Sequence, residues 1–298
     1  MKLLQYEKSL QPLLSALPVC HGWGRGATLY HYNGYWLQLV FIAGQRLLPE
    51  QYAPRPTDIL LASSPKCGTT WLKALAFAAL CRLLDRNPHD LVPFIELQYL
   101  ASPGKLESLQ DPRLLATHLP PSLLPAAVTS TCRIIYVYRD PKDVFVSHWQ
   151  FGKSTCGPLW DHAFEYWRES RRSPERVLFL RYEDMAEDAG GSLRKIAEFM
   201  GRGFSPEEES AGAVEALAEL CSFENLSKQE VNKTGNFRVS DQVEFRGLKN
   251  SSFFRKGKVG DSANYLSPEM ARRLDEFMQE KLHAADLAGF PAGSGQSN

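Results

Sequence analysis

Residues 58–71 read DILLASSPKCGTTW. The first half, Asp58–Ser63, is a short apolar run closed by a turn, which suits a strand buried on both faces of a parallel sheet. From Trp71 to Leu84 the pattern becomes helical, with Trp71, Leu75, Ala78 and either Leu83 or Ala79 near one face. Between them lies Ser64-Pro65-Lys66-Cys67-Gly68-Thr69-Thr70. A turn that feeds a helix N-terminus points several free N–H groups at one place, and the helix dipole adds positive potential there. Gly68 lets the main chain approach a ligand closely. Thr69 and Thr70 add hydroxyls, Cys67 its backbone N–H, and Lys66 a full charge. The stretch from Ser64 to Trp71 is therefore a candidate phosphate loop. The competing reading is an ordinary strand-to-helix turn with a solvated lysine.

The order differs from GxxxxGK[ST], because Lys66 precedes Gly68. No apolar strand ends in an acidic residue placed to hold magnesium, which disfavours a kinase or NTPase and favours phosphate chemistry without a metal. Further strands are expected at Leu114–His118, Arg133–Tyr138 and Val177–Tyr182. Helices are expected at Ser192–Met200, Pro206–Cys221 and Pro268–Leu282, the last with Ser267 as N-cap and Pro268 at its first position. This alternation predicts an α/β fold: a P-loop-like parallel sheet flanked by helices, in a single domain. We expect residues 1–57 to form an irregular N-terminal segment packed on a domain spanning 58–290, and 291–298 to be a disordered tail. Asn225–Leu266 lacks periodicity and is long for a structureless loop, so it reads as a functional or mobile segment.

Lys plus Arg and Asp plus Glu both number 34 among 298 residues, giving no net charge. This disfavours a nucleic-acid partner, though not a small anion held by local cations. The six cysteines are scattered, without CxxC or histidine clustering, so reduced thiols in a cytoplasmic protein are expected, with no metal site. No apolar run is long enough to span a membrane.

Six ordered motifs point further: LASSPKCGTTWLKAL, LLATHLPPSLLP, CRIIYVYRDPKDVFVS, VLFLRYEDM, LCSFENLSKQEVNKTG and FFRKGKVGD. Together they resemble the plant cytosolic sulfotransferases, from about Trp36 to Leu282. The resemblance implies transfer of a sulfonate from 3′-phosphoadenylyl sulfate to a hydroxyl of a small molecule, with no metal. Flavonoids, other phenolics, steroid-like hormones, hydroxylated jasmonates and desulfoglucosinolates are all acceptors of the family. Neither the acceptor nor the oligomeric state is fixed by the residues.

By the same resemblance, Lys66, Cys67, Gly68, Thr69, Thr70 and Trp71 hold the 5′-phosphosulfate, and Lys66 neutralises the bridging oxygen as the phosphate leaves. Arg139 and Ser147 match the 3′-phosphate site, and Arg255, Lys256 and Gly257 its second clamp. Trp71, Tyr182 and Phe223 match the adenine site, and His118 the general base. Two departures stand out. Ser262 follows Gly260-Asp261 where the family has tryptophan, and only GKSTCGPL separates Phe151 from Trp160, where the family has a longer segment roofing the acceptor. The second departure favours an alternative, a nucleotide-binding paralogue with weak or lost catalysis; Lys66 and His118 argue for an active enzyme.

Overall fold

The short apolar runs expected as strands become, at 59–63, 114–117, 133–138 and 177–181, the four strands of the central sheet. The computed structural model describes residues 2–21, 28–101, 104–151, 156–240, 243–287 and 289–291. The strands are β1 (Val19–His21), β2 (Thr28–Tyr32), β3 (Tyr35–Gln38), β4 (Ile59–Ser63), β5 (Leu114–Thr117), β6 (Arg133–Tyr138), β7 (Cys156–Gly157), β8 (Val177–Arg181), β9 (Asn236–Ser240) and β10 (Val243–Lys249). The central sheet has the order β5-β4-β6-β8 and is wholly parallel, with Leu61 opposite both Ala116 and Ile135. Every residue of β4 and β5 is buried, as a sheet covered on both faces requires. The chain leaves β4 toward one edge and β6 toward the other, so the carboxyl ends of β4 and β6 flank the crevice where such sheets bind ligands.

Helices α1 (Lys2–Leu14), α2 (Leu39–Gln51), α3 (Thr69–Cys81), α4 (Pro88–Leu91) and α5 (Ile95–Ala101) come first. They are followed by α6 (Ala126–Thr131), α7 (Pro141–Phe151), α8 (Leu159–Arg172), α9 (Tyr182–Glu187) and α10 (Ala189–Phe199). The remainder are α11 (Pro206–Ser210), α12 (Ala213–Leu220), α13 (Phe223–Lys228), α14 (Glu230–Thr234) and α15 (Pro268–Ala285). Ser267 caps α15 as predicted, its side chain accepting from the Met270 N–H. At the amino ends of β4 and β5, Asp58 and Arg113 form a buried bidentate pair at 2.7 and 2.5 Å. The Tyr52 hydroxyl and the Arg55 N–H also donate to Asp58, so this buried carboxylate is well satisfied at the end of the sheet away from the crevice.

Three expectations need correction. The described residues of 1–57 are not irregular. They hold α1, α2 and the strands β1, β2 and β3, which β7 from later in the chain joins in one antiparallel sheet, and the β2–β3 hairpin turns on Asn33 and Gly34, both at positive φ. Pro206–Cys221 is two helices, parted at Gly212, whose φ is +70°. Asn225–Leu266 is not structureless: it contains most of α13, then α14, the β9–β10 hairpin and two short 3₁₀ turns. Residues 292–298 of the expected tail lie outside the described residues. So do residues 152–155 of the short segment after Phe151, which ends in β7 paired to β3.

One close approach ties the first helices together. Gly44 of α2 lies so near α5 that a Cβ there would overlap the Glu96 carbonyl oxygen.

Candidate active site

Each strand of the central sheet delivers one element of a single cleft at its carboxyl end. After β4 comes the loop to α3, after β5 His118, after β6 Arg139, and after β8 Tyr182. The cleft has a volume of about 710 Å³. Lys66, Gly68, Thr69, Thr70, Trp71, His118, Arg139, Ser147, Tyr182, Phe223, Arg255, Lys256 and Gly257 all line it. Cys67 does not. Its thiol is fully buried, and burial pushes the pKa up to about 12, leaving only main chain to meet a ligand.

The loop has the form a phosphate site needs. Lys66 and Gly68 take φ of +69° and +106°, which turns the chain so that α3 starts at Thr69. No side chain caps that helix, so its first N–H groups remain available to an anion. A Cβ on Gly68 would sit 2.6 Å from the Tyr182 ring, so glycine is also required by packing. The Ser63 and Thr69 hydroxyls are hydrogen-bonded at 2.6 Å, tying β4 to the helix start. The Lys66 ammonium lies 3.9 Å from the centre of the Phe151 ring. Burial, then the charges of Arg255 and Arg139, lower its pKa to about 8. A cation under that pressure gains from an anion beside it.

His118 is held from three sides. Its N–H donates to Glu96 Oε1 at 2.8 Å, and its carbonyl accepts from His162 Nε2 at 3.2 Å. The ring nitrogen Nδ1 lies 2.7 Å from the Ser63 carbonyl oxygen, an acceptor only, so Nδ1 carries the proton and Nε2 keeps its lone pair. Burial lowers the His118 pKa to about 3 despite that hydrogen bond. The imidazole is therefore neutral at ordinary pH. Phe94 and Phe41 pack on it with ring centres 4.5 and 6.2 Å away, and Phe151, Phe237 and Phe253 continue an aromatic wall.

At the opposite end, Arg139 stacks on Tyr182, its guanidinium carbon 4.3 Å from the ring centre. Its Nη2 donates to Asp143 and to the Lys258 carbonyl, while its buried Nε has no partner among the described residues. Trp71 meets Tyr182 edge-on at 5.4 Å. Gly257 lies under Phe223, where a Cβ would overlap the ring. Arg255 and Lys256 both point to Asp261. Asp143 accepts the N–H groups of Gly260 and Ser262 at 2.8 Å each, which docks the segment carrying these cations onto α7.

The sulfotransferase domain family matches residues 56–286. The chain belongs to that family. Among relatives, this sulfotransferase is 40% identical to cytosolic sulfotransferase 16 of Arabidopsis thaliana, over 94% of this chain and 92% of the relative. It is 39% identical to flavonol 3-sulfotransferase of Flaveria bidentis, over 93% and 99%. Among solved structures it superposes on an Arabidopsis thaliana protein described as a candidate steroid sulphotransferase, with a TM-score of 0.71, 33% identity and coverage of 95% and 97%. A mouse sulfotransferase complexed with PAP gives 0.66, 27%, and 87% and 95%. The chain is a sulfotransferase enzyme with the family's parallel sheet, and no helix among the described residues is long and apolar enough to cross a membrane.

Several residues of the sulfotransferase's cleft escape a reading of the sequence. His89 and Phe253 line it, Lys73 and Glu96 are fully buried beneath it, and Asp143 and Asp261 hold its cations. The only local signal among them is Asn87-Pro88-His89, where the Asn87 side chain caps α4 by accepting from the His89 N–H.

Proposed function

We propose that the enzyme transfers the sulfonate of 3′-phosphoadenylyl sulfate to a hydroxyl of a small, largely apolar acceptor in the cytoplasm, by direct in-line transfer without a metal. The convergence on one cleft of the Lys66–Trp71 loop, a neutral His118 and the Arg139 site carries this reading. The residues fit the donor nucleotide on three counts: an uncapped helix start, an Arg139 Nε lacking a partner, and glycines at 68 and 257 packed tightly under aromatic rings.

In this reading the donor supplies an activated sulfonate on a phosphate leaving group, and the protein supplies position and charge. The α3 N-terminus with Thr69 and Thr70 holds the 5′ end. Arg139, Ser147, Arg255 and Lys256 with the Gly257 main chain hold the 3′-phosphate, the latter two cations leaving Asp261 to do so. Trp71, Tyr182 and Phe223 cover the adenine. His118 Nε2 takes the acceptor hydroxyl proton as the oxygen attacks sulfur, and Lys66 neutralises the bridging oxygen as it departs. The phenyl wall around His118 favours phenolic, flavonoid or steroid-like acceptors and keeps the reacting groups dry. The Asp261 pairing gives the C-terminal segment a defined state before nucleotide binds.

The test is transfer of radiolabelled sulfonate from 3′-phosphoadenylyl sulfate to a panel of phenolic, flavonoid, steroid and oxime acceptors, read by mass spectrometry, beside an ATP hydrolysis assay. We expect sulfonated product and no ATPase activity. Nucleotide binding without transfer to any acceptor would replace this reading with a non-catalytic binding protein. ATP turnover would replace it with an NTPase.

A further inference from the structure

Lys73 is a charged residue in an apolar place. It lies one turn into α3 and is wholly buried. Its Nζ has three neighbours: the Val92 carbonyl oxygen at 2.7 Å, His89 Nδ1 at 3.2 Å and the Phe94 ring, whose centre is 3.5 Å away. The first can only accept, and the ring face also favours a donor. An ammonium has three N–H donors and no lone pair, so these neighbours satisfy it completely. A neutral amine would instead have to accept from a protonated His89 Nδ1 through its lone pair, reversing that hydrogen bond. Burial pulls the amine's pKa well down, while Glu96 and Asp90 oppose that shift.

With Lys73 as the ammonium, the direction of each hydrogen bond follows. His89 Nδ1 receives a proton from Lys73, so Nδ1 holds the lone pair and Nε2 carries the ring proton. Nε2 lies 2.9 Å from Thr70 Oγ1 and must donate to it. Among the described residues this is the only hydrogen bond to the Thr70 side chain. The Thr70 hydroxyl hydrogen therefore points away from His89. Thr70 is the second residue of α3 and lines the cleft where the helix start faces it.

We propose that Lys73, His89 and Thr70 form a one-way hydrogen-bond chain that aims the Thr70 hydroxyl, backed by a buried ammonium, at the 5′-phosphate of the sulfonate donor. Lys73 and His89 are then positioning residues, since only Thr70 reaches the ligand; the inference rests on the donor site proposed above. Each link polarises the next in the same sense, so the hydroxyl at the end is a stronger donor than an isolated threonine. The departing phosphate gains negative charge during the reaction, and a donor fixed beforehand costs no reorganisation at that moment.

Two measurements test the chain. The first is nitrogen-15 NMR of the ligand-free protein, with the His89 signals assigned by their loss in His89→Gln. The proton should sit on Nε2 with Nδ1 unprotonated; a proton on Nδ1 would overturn the proposal without any nucleotide present. The second is calorimetric binding of adenosine 5′-monophosphate, adenosine 3′-monophosphate and the 3′,5′-bisphosphate to wild type, Thr70→Val, Lys73→Met and the double variant. Each single change should weaken the 5′-monophosphate about tenfold, the effect of roughly one hydrogen bond to a charged group. The double variant should be no weaker than the worse single, and the 3′-monophosphate should change less than about twofold. A purely structural role for Lys73 would instead weaken both monophosphates alike, and additive losses would break the link to Thr70; either result sinks the chain. If Lys73→Met does not fold, His89→Leu with Thr70→Val supplies the same cycle. Failure of the wild type to bind the bisphosphate would remove the donor site and the chain together, whereas additive losses in a protein that binds would remove only the chain.

Discussion

Replacing Asp143 with alanine should loosen the C-terminal segment before it unfolds the sheet. The carboxylate is 1% exposed and accepts three hydrogen bonds, from Arg139 Nη2 at 3.0 Å and from the Gly260 and Ser262 N–H groups at 2.8 Å. A hydrogen bond to a charged group contributes about 1.5–3 kcal/mol. The three do not simply add. Gly260 is exposed and its N–H can regain water, and Arg139 keeps the Lys258 carbonyl at 2.8 Å. The buried Ser262 N–H and the uncompensated guanidinium remain, and breaking one side of such a buried pair costs about 3–5 kcal/mol. We expect a loss in that range for Asp143→Ala. Urea unfolding followed by tryptophan fluorescence gives the global value, and hydrogen exchange across residues 255–266 gives the local one. A loss below about 1 kcal/mol for the alanine variant, or unchanged protection of that segment, would refute the reasoning.

Three further outcomes follow from the site. His118→Ala should lower kcat by about 10²–10⁴-fold while calorimetry finds the affinity for adenosine 3′,5′-bisphosphate nearly unchanged; activity close to wild type would take His118 out of the mechanism. Arg139→Ala should weaken the 3′,5′-bisphosphate by about 2–5 kcal/mol more than 5′-AMP, and equal losses would show that the residue does not hold the 3′-phosphate. The pH profile of kcat/KM for the donor should lack an acid limb between pH 5 and 7, since His118 gains its proton only near about 3. It should fall above about pH 8, where Lys66 loses its charge in the free enzyme. A profile halved by acid near the ordinary histidine pKa would contradict the assigned state of His118.

The parallel sheet is legible in the sequence because its strands are buried on both faces. Runs such as Ile59–Ser63 and Arg133–Tyr138 are apolar nearly throughout, and their ends need no tertiary information. The hairpin at 28–38 carried a signal in Asn33-Gly34, but its flanking aromatics do not alternate cleanly with polar residues. Helix α2 reads poorly because it holds both Gly44 and Pro49. Lys73 illustrates what no local pattern gives. A lysine on a helix reads as solvated, and only the return of α4 and the following residues Val92 and Phe94 over α3 makes it the buried end of a chain to Thr70. Cys67 is consistent with its reading: the loop is expected to use its backbone N–H, and the twist at Lys66 and Gly68 turns its thiol into the core. The acids that hold Arg139 and Arg255 lie 4 and 6 residues away in sequence, but whether such neighbours pair is decided by where their backbone docks.

Gly44 lies before the first residue of the matched family domain, yet it has a hold on His118. It lets α2 seat against the Glu96 carbonyl, and the same Glu96 fixes the main chain of His118. For anyone recombining relatives to alter acceptor choice, a crossover near residue 56 would separate two parts that were cut to fit. An N-terminal segment bearing alanine at position 44 would wedge α5 outward and misalign residue 118, although position 44 itself does not line the cleft. The workable unit of exchange therefore begins upstream of α2, and a glycine with no chemistry of its own sets where that boundary can fall.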